Sequence, residues 1–408
     1  MSKTISAGVK LLTLSTSVRW FGWGLGEAFL PIFILLFSSG FLETGFLVGI
    51  YNLTFFISIP LAGYLADRYH IKLMLLSALA IYVLIGLGYW AAGLFGMVIF
   101  IILSRGLNGI SYALDQIGRE SYIIRHSSKE RVSSVFGRFD FITNFWWVAA
   151  VIIGLILVKS FNVEIHWLLF FIVPTSIASF FIILFLKEEK NSDKKPDNYL
   201  KAYFRFFHDI NKFNTGIKII LSLSFLIGII SSVIYFFVPI SSYLDGNGLV
   251  NSAVLAMVYT IPVLFSRWLG KISDKYKGRV YLFGFFSIIG ILTTLIFTKD
   301  YFIMLAVMFV SSGIFELLSL TNRGMIARFA DRTHIGETDG SLNGISALGA
   351  MAGPVLFGFL LDVVGRGASY IVIITMPFIA LAVIVFGDKY IRGSGSTDKT
   401  RLLRRFQI

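Results

Sequence analysis

Unbroken apolar runs of about twenty residues recur along almost the whole chain, and this feature constrains its fold more than any other. They cover 11–38, 43–66, 72–93, 96–118, 139–160, 166–186, 216–243, 248–268, 280–298, 301–322, 341–364 and 368–387. Lipid offers backbone N–H and C=O groups no partner, so a spanning segment must be a helix or part of a closed barrel. Barrel strands alternate apolar and polar residues, and these runs do not. Only 14% of residues are charged and 56% are hydrophobic, whereas a soluble domain carries about 25% charged residues. Disorder, a coiled coil and an ordinary soluble enzyme are thereby excluded. The sequence predicts an all-α polytopic membrane protein with twelve transmembrane helices. The first run is too long for a cleaved signal peptide and is expected to stay as a span.

The net charge of +13 invites a nucleic-acid reading, which the distribution of charge removes. Of the 36 Lys and Arg, all but Lys159, Lys299, Arg366, Arg19 and Arg105 fall on the tails and loops of one side. By the positive-inside rule that side, with both termini, is cytoplasmic. The chain is thus expected to be multi-pass in the inner membrane, with lipids and a small solute as partners, no nucleic acid, and a monomeric state. There are no cysteines and five scattered histidines, so no cofactor or metal is expected. No phosphate-binding Gly-x-x-x-x-Gly-Lys-Ser/Thr loop is present. No nucleophile or acid–base pair at close spacing supports an enzyme.

The polar segment Lys187–Phe213 divides the runs into six and six, and the halves echo each other. Phe29-Leu30-Pro31-Ile32 matches Phe237-Val238-Pro239-Ile240, Gly63 and Asp67 match Gly270 and Asp274, Gly106 matches Gly313, and Arg125 and Gly137 match Arg328 and Gly340. The near-constant offset predicts two pseudo-symmetric six-helix bundles with a midplane site between them. The expected domains are 1–186, a linker at 187–215, 216–391, and a basic tail at 392–408. Within the linker, Tyr199, Leu200, Tyr203, Phe204, Phe207 and Ile210 form an apolar stripe among Lys201, Arg205 and Lys212. That pattern suits an interfacial amphipathic helix or one docked on the neighbouring loops.

Gly63-Tyr64-Leu65-Ala66-Asp67-Arg68-Tyr69-His70-Ile71-Lys72 resembles the loop signature of the major facilitator superfamily, Gly-x-Leu-Ala-Asp-Arg-x-Gly-Arg-Lys. A degraded second copy runs from Gly270 through Asp274 to Arg279. The resemblance implies a secondary transporter working by alternating access. It implies that Asp67 caps the start of span 11, near Gly340-Ser341, when the inner side is closed, with Arg68 and Lys72 adding charge pairs. Gly63 is expected to permit close helix approach and Leu65 belongs to the same signature. The Gly349–Gly358 stretch in span 11 reads equally as a packing face or as a displaced antiport signature.

The resemblance also implies that spans 1, 4, 7 and 10 line a central cavity. Ionisable residues inside the spans fall on three of these four: Arg19 and Glu27, Arg105, and Glu316. Arg105 opens the motif Arg105-Gly106-Leu107-Asn108-Gly109, which adds Asn108 to the candidates. A guanidinium within a span costs about 2.5–3.5 kcal/mol, so a partner or substrate is expected for it. Burial favours a protonated carboxyl and a guanidinium neighbour an ionised one; Glu27, with Glu316 as substitute, is therefore the expected proton carrier opposite Arg105. Trp20, Trp23, Trp146 and Trp147 are candidate walls for apolar solutes. The expected function is proton-coupled transport of a small organic solute, efflux ahead of nutrient uptake or uniport, with a membrane enzyme or receptor as distant alternatives.

Overall fold

The computed structural model describes residues 6–68, 70–127, 132–187, 213–276, 278–329 and 335–393, leaving aside the side chains at 67–68, 132–134, 327–329, 335–339 and 388–393. Segment 199–212 and the tail beyond 393 lie outside the described residues, and with them the amphipathic linker helix. Among the described residues the regular structure is helical throughout, as the apolar runs require. The first half comprises α1 (Ala7–Glu27), α2 (Leu30–Leu35), α3 (Phe41–Arg68), α4 (Ile71–Phe95), α5 (Val98–Arg125), α6 (Val132–Phe161), α7 (Ile165–Phe170) and α8 (Ile172–Leu184). The second comprises α9 (Thr215–Ser242), α10 (Gly248–Thr260), α11 (Ser266–Tyr276), α12 (Arg279–Phe297), α13 (Tyr301–Phe329), α14 (Ile335–Ile373) and α15 (Thr375–Gly393).

Nine helical runs among the described residues are long and apolar enough to cross a membrane. This differs from the twelve expected, for two reasons. The runs Thr215–Tyr276 and Gly340–Gly387 hold 62 and 48 residues, far beyond the roughly 20 that one crossing needs. They are bent at Gly246 (φ 89°), Gly248 (φ 79°) and Gly365 (φ 75°), where glycine takes a left-handed conformation without a Cβ clash. The remaining difference is α1, whose Lys10, Arg19 and Glu27 lower its apolar character.

Helix ends follow local chemistry. Ser6 caps α1 by accepting the Val9 N–H at 3.3 Å, and Asn214 caps α9 by accepting from Ile217 at 2.9 Å. α1 and α2 are separated at Ala28–Phe29, just ahead of Pro31, which supplies no N–H to continue the ladder. Outward faces carry large apolar side chains such as Phe297, Phe302 and Phe386, the surface lipid requires. Between helices, lipid removes the hydrophobic drive and leaves close packing to hold the bundle. A Cβ at Gly154 of α6 would lie 2.0 Å from the Leu25 carbonyl of α1, so those two backbones touch.

The two halves meet most extensively along α3 and α14, and again where α2 packs on α9 and α6 on α10. α9 is buried along almost its whole length. The N-terminus of α1 defines one face of the bundle, here the terminal face. At the opposite face the halves are shut together. Gly358 of α14 abuts the Phe41 carbonyl, and Gly45 of α3 the Pro354 carbonyl. The Asp362 carboxylate accepts the Phe41 and Leu42 N–H groups at 3.1 and 2.8 Å, capping α3 from the other half.

Candidate functional site

The site grows from one face of α5. Arg105, Asn108, Tyr112, Asp115 and Arg119 follow each other at spacings of three and four, which places them in a single stripe. Arg105, Asn108, Asp115 and Arg119 are all buried. Arg19 of α1 reaches across to this stripe: its Nη2 donates to Asp115 Oδ2 at 2.6 Å. Arg119 Nε stands 2.9 Å from the same oxygen. Two guanidinium groups thus share one carboxylate. The plane of Arg19 also lies 4.5 Å above the Tyr82 ring.

Beside this cluster is a cavity of about 470 Å³. Arg19, Glu27, Arg105 and Asn108 open into it, as do Ser231, Tyr235 and Tyr259 from the second half. Its volume falls in the range typical of small-molecule sites. Aromatic rings make much of the wall. Trp20, Trp23 and Trp147 are among them, whereas Trp146 points outward with 46% exposure.

Glu27 occupies the last position of α1, at the break before Pro31. Glycines at 22, 24 and 26 let α8, α6 and α7 approach in turn; a Cβ on Gly24 would sit 2.7 Å from the Trp147 carbonyl. That proximity brings Trp147 Nε1 to donate to a Glu27 carboxylate oxygen. No cation stands within ion-pair distance of Glu27 among the described residues. Arg105 instead turns to backbone: its Nε donates to the Leu47 carbonyl at 3.2 Å and its Nη2 to the Val48 carbonyl at 2.7 Å. Its plane lies 5.0 Å from the Tyr51 ring centre. The Glu27–Arg105 pairing expected from depth is therefore not made in this conformation.

The other sequence candidates lie apart. Glu316 accepts from Ser266 at 2.8 Å and is not part of the cavity wall. Lys72 donates to the Leu184 carbonyl at the end of α8, at 2.6 Å. Leu65 packs on the apolar cluster of Ala62, Ala66 and Met74. A Cβ at Gly63 or Gly270 would meet nothing within 4 Å, so neither marks a close approach here. Gly109 does so instead, against Tyr51 and Thr54. Asp274 and Arg279 are exposed. The Asp67 and Arg68 side chains lie outside the described residues. Gly349, Gly353 and Gly358 each meet a carbonyl of a neighbouring helix, which makes the span-11 stretch a packing face.

Sequence reasoning missed Asp115 and Arg119. Asp115 lies inside an expected span yet goes uncounted there, and Arg119 falls among the loop charges. Their three–four spacing from Arg105 and Asn108 is the available signal.

A cavity walled by helices from both halves of a helical membrane protein is the arrangement of a solute transporter. Solved structures of similar shape are transporters. A mutant form of the nucleoside transporter NupG aligns with a TM-score of 0.72 at 14% identity, over 93% of this chain and 99% of that one. A D-xylose-proton symporter aligns at 0.71 and 13%, over 92% and 96%. The human organic anion transporter MFSD10 (TETRAN) aligns at 0.67 and 12%, over 92% and 98%. No characterised protein sequence matches. The family model described as Major Facilitator Superfamily matches at residues 12–298 and 220–406. The chain belongs to the Major Facilitator Superfamily.

Proposed function

We propose that the protein is a proton-coupled secondary transporter of a small organic solute, with Glu27 as the proton-carrying group. The observation that carries this reading is the place of Glu27: it is the one carboxylate among the cavity-lining residues, it is held by Trp147, and it has no cation at ion-pair distance among the described residues. A carboxyl so placed exchanges a proton with the cavity as access alternates. Both termini are cytoplasmic in this proposal, from the loop charges, and the membrane is the cytoplasmic one. Export is the favoured direction, because an aromatic wall accepts amphipathic solutes entering from the cell. The similar structures carry organic anions, nucleosides and a sugar in their names, so fold alone selects no substrate.

The test uses proteoliposomes and the solute that most stabilises the purified protein in a thermal-shift screen. With an imposed pH gradient the protein accumulates that solute, and Glu27→Gln abolishes accumulation while leaving solute exchange intact. Accumulation undiminished in Glu27→Gln overturns the assignment. Loss of both activities together marks Glu27 as structural only.

A further inference from the structure

We propose that the solute is a small aromatic organic anion and that Arg19 receives its charge. This rests on reading the cavity as the transport site. The charged residues in the cavity wall are Arg19, Arg105 and Glu27. Behind Arg19 stand Asp115 and Arg119, joined to it through one carboxylate oxygen. At the wall itself two guanidinium groups, Arg19 and Arg105, stand against the single carboxylate of Glu27, and the wall grows more positive when Glu27 takes a proton. Behind the wall, Glu120 and Asp140 lie within electrostatic reach of Arg119, and Glu316 and Arg323 within reach of Asp140; among the described residues none of these four forms cavity wall.

The hydrogen bonds point the same way. Arg19 is 4% exposed, yet Nη2 to Asp115 is its one hydrogen bond among the described residues. Its other N–H groups are donors without a partner among those residues, on a side chain that opens into the cavity. Asn108, also 4% exposed, lines the cavity and makes no hydrogen bond within the described residues. A buried guanidinium with spare donors and a spare amide in one cavity wall suit an oxyanion, which accepts several charge-assisted hydrogen bonds at once.

The rings argue against a cationic solute. Aromatic walls attract cations, but the protein's own cations already use these faces. Arg19 covers Tyr82 at 4.5 Å, and Arg105 lies over Tyr51 at 5.0 Å and Phe236 at 5.9 Å. A second cation meets repulsion there. Arg119 likewise lies over Trp20 at 5.6 Å, so the flat body of an aromatic acid meets Trp23 and Trp147 while its acid group reaches Arg19.

The experiment is equilibrium calorimetry on the full-length protein in neutral detergent. The probes are matched sets: cinnamate, cinnamamide and cinnamylamine, and 2-naphthoate with 2-naphthamide. The acids bind about tenfold or more tighter than their amides, the amine weakest, as expected for hydrogen bonds to a charged group. Arg19→Gln lowers the acid-to-amide ratio about tenfold while amide affinity holds, which shows the cavity intact. The variant is expected to fold because Arg119 still pairs with Asp115. Asn108→Leu, which removes no charge and no internal hydrogen bond, weakens the acids several-fold. Glu27→Gln preserves or raises the ratio. Amides or the amine binding as well as the acids, no binding by either acid, or an unchanged ratio in Arg19→Gln each overturn the proposal. No gradient is present, so failed proton coupling leaves this result standing, and failed acid preference leaves the coupling test standing.

Discussion

Arg105 shows how a costly residue is held inside a span. Its fork reaches two consecutive carbonyls of α3, Leu47 and Val48, each of which has a second lone pair beyond its helical bond. Lysine carries the same charge but a single point donor. Arg105→Lys should therefore destabilise the protein by about 1–2 kcal/mol, the loss of roughly one charged hydrogen bond; chemical unfolding in detergent measures it. An unchanged midpoint would show that the fork contributes nothing. The residue's presence is legible from one sequence, because any guanidinium within an apolar run stands out. Its partners are not. Asp115 and Arg19 lie 96 positions apart and Trp147 and Glu27 lie 120 apart, and no local pattern encodes such meetings. The stripe on α5 is readable, but only where Asp115 and Arg119 are kept with Arg105 and Asn108 as one face.

At the scale of elements, the closure of α3 against α14 is the most specific feature of the bundle. Asp362 caps the N-terminus of α3 from the opposite half, so its contribution there, beside that of Glu43 in the same turn, is made only while this face is shut. A carboxylate so placed is worth about 0.3–1 kcal/mol, up to about 2 when partly buried. Asp362→Ala should then shift the opening equilibrium of this face by roughly two- to thirtyfold. The chain has no cysteines, so single reporters can be placed without background. Cysteines introduced at Ser39 or Leu361 should be labelled faster by a membrane-impermeant maleimide in the variant, and equal rates would show that the cap does not hold the gate. The sequence displays the glycines and Pro354 of α14 but not their partner, because small residues announce close approach without naming the neighbour. The first apolar run reads as one span. Its break at Ala28–Phe29 is signalled by Pro31, and that break is what sets Glu27 into the cavity.

For the whole molecule, the cavity lies where helices of the first and second halves of the chain converge. Transport by rocking requires the opposite face to open, and this conformation shows the contact that must then part. An ideal Cβ on Gly40 lies 3.8 Å from the carboxyl carbon of Asp362, one bond beyond the Asp362 Cβ, so a small shift of the Ser39–Gly40 turn brings the two Cβ atoms to the roughly 3.5–4.5 Å of a disulfide. The double variant Gly40→Cys/Asp362→Cys, oxidised, should fasten the halves together at that face. Solute exchange across proteoliposomes should fall to background, because no closed cycle remains. Binding in detergent should persist near its unmodified affinity if the cavity opens on the terminal side, the side the cross-link leaves free. Reduction should restore exchange in the same preparation, which separates locking from misfolding. Exchange that continues in the fully cross-linked protein would mean that solute passes without separating α3 from α14 at this face, and the two halves would not then move as rocking bodies about the cavity.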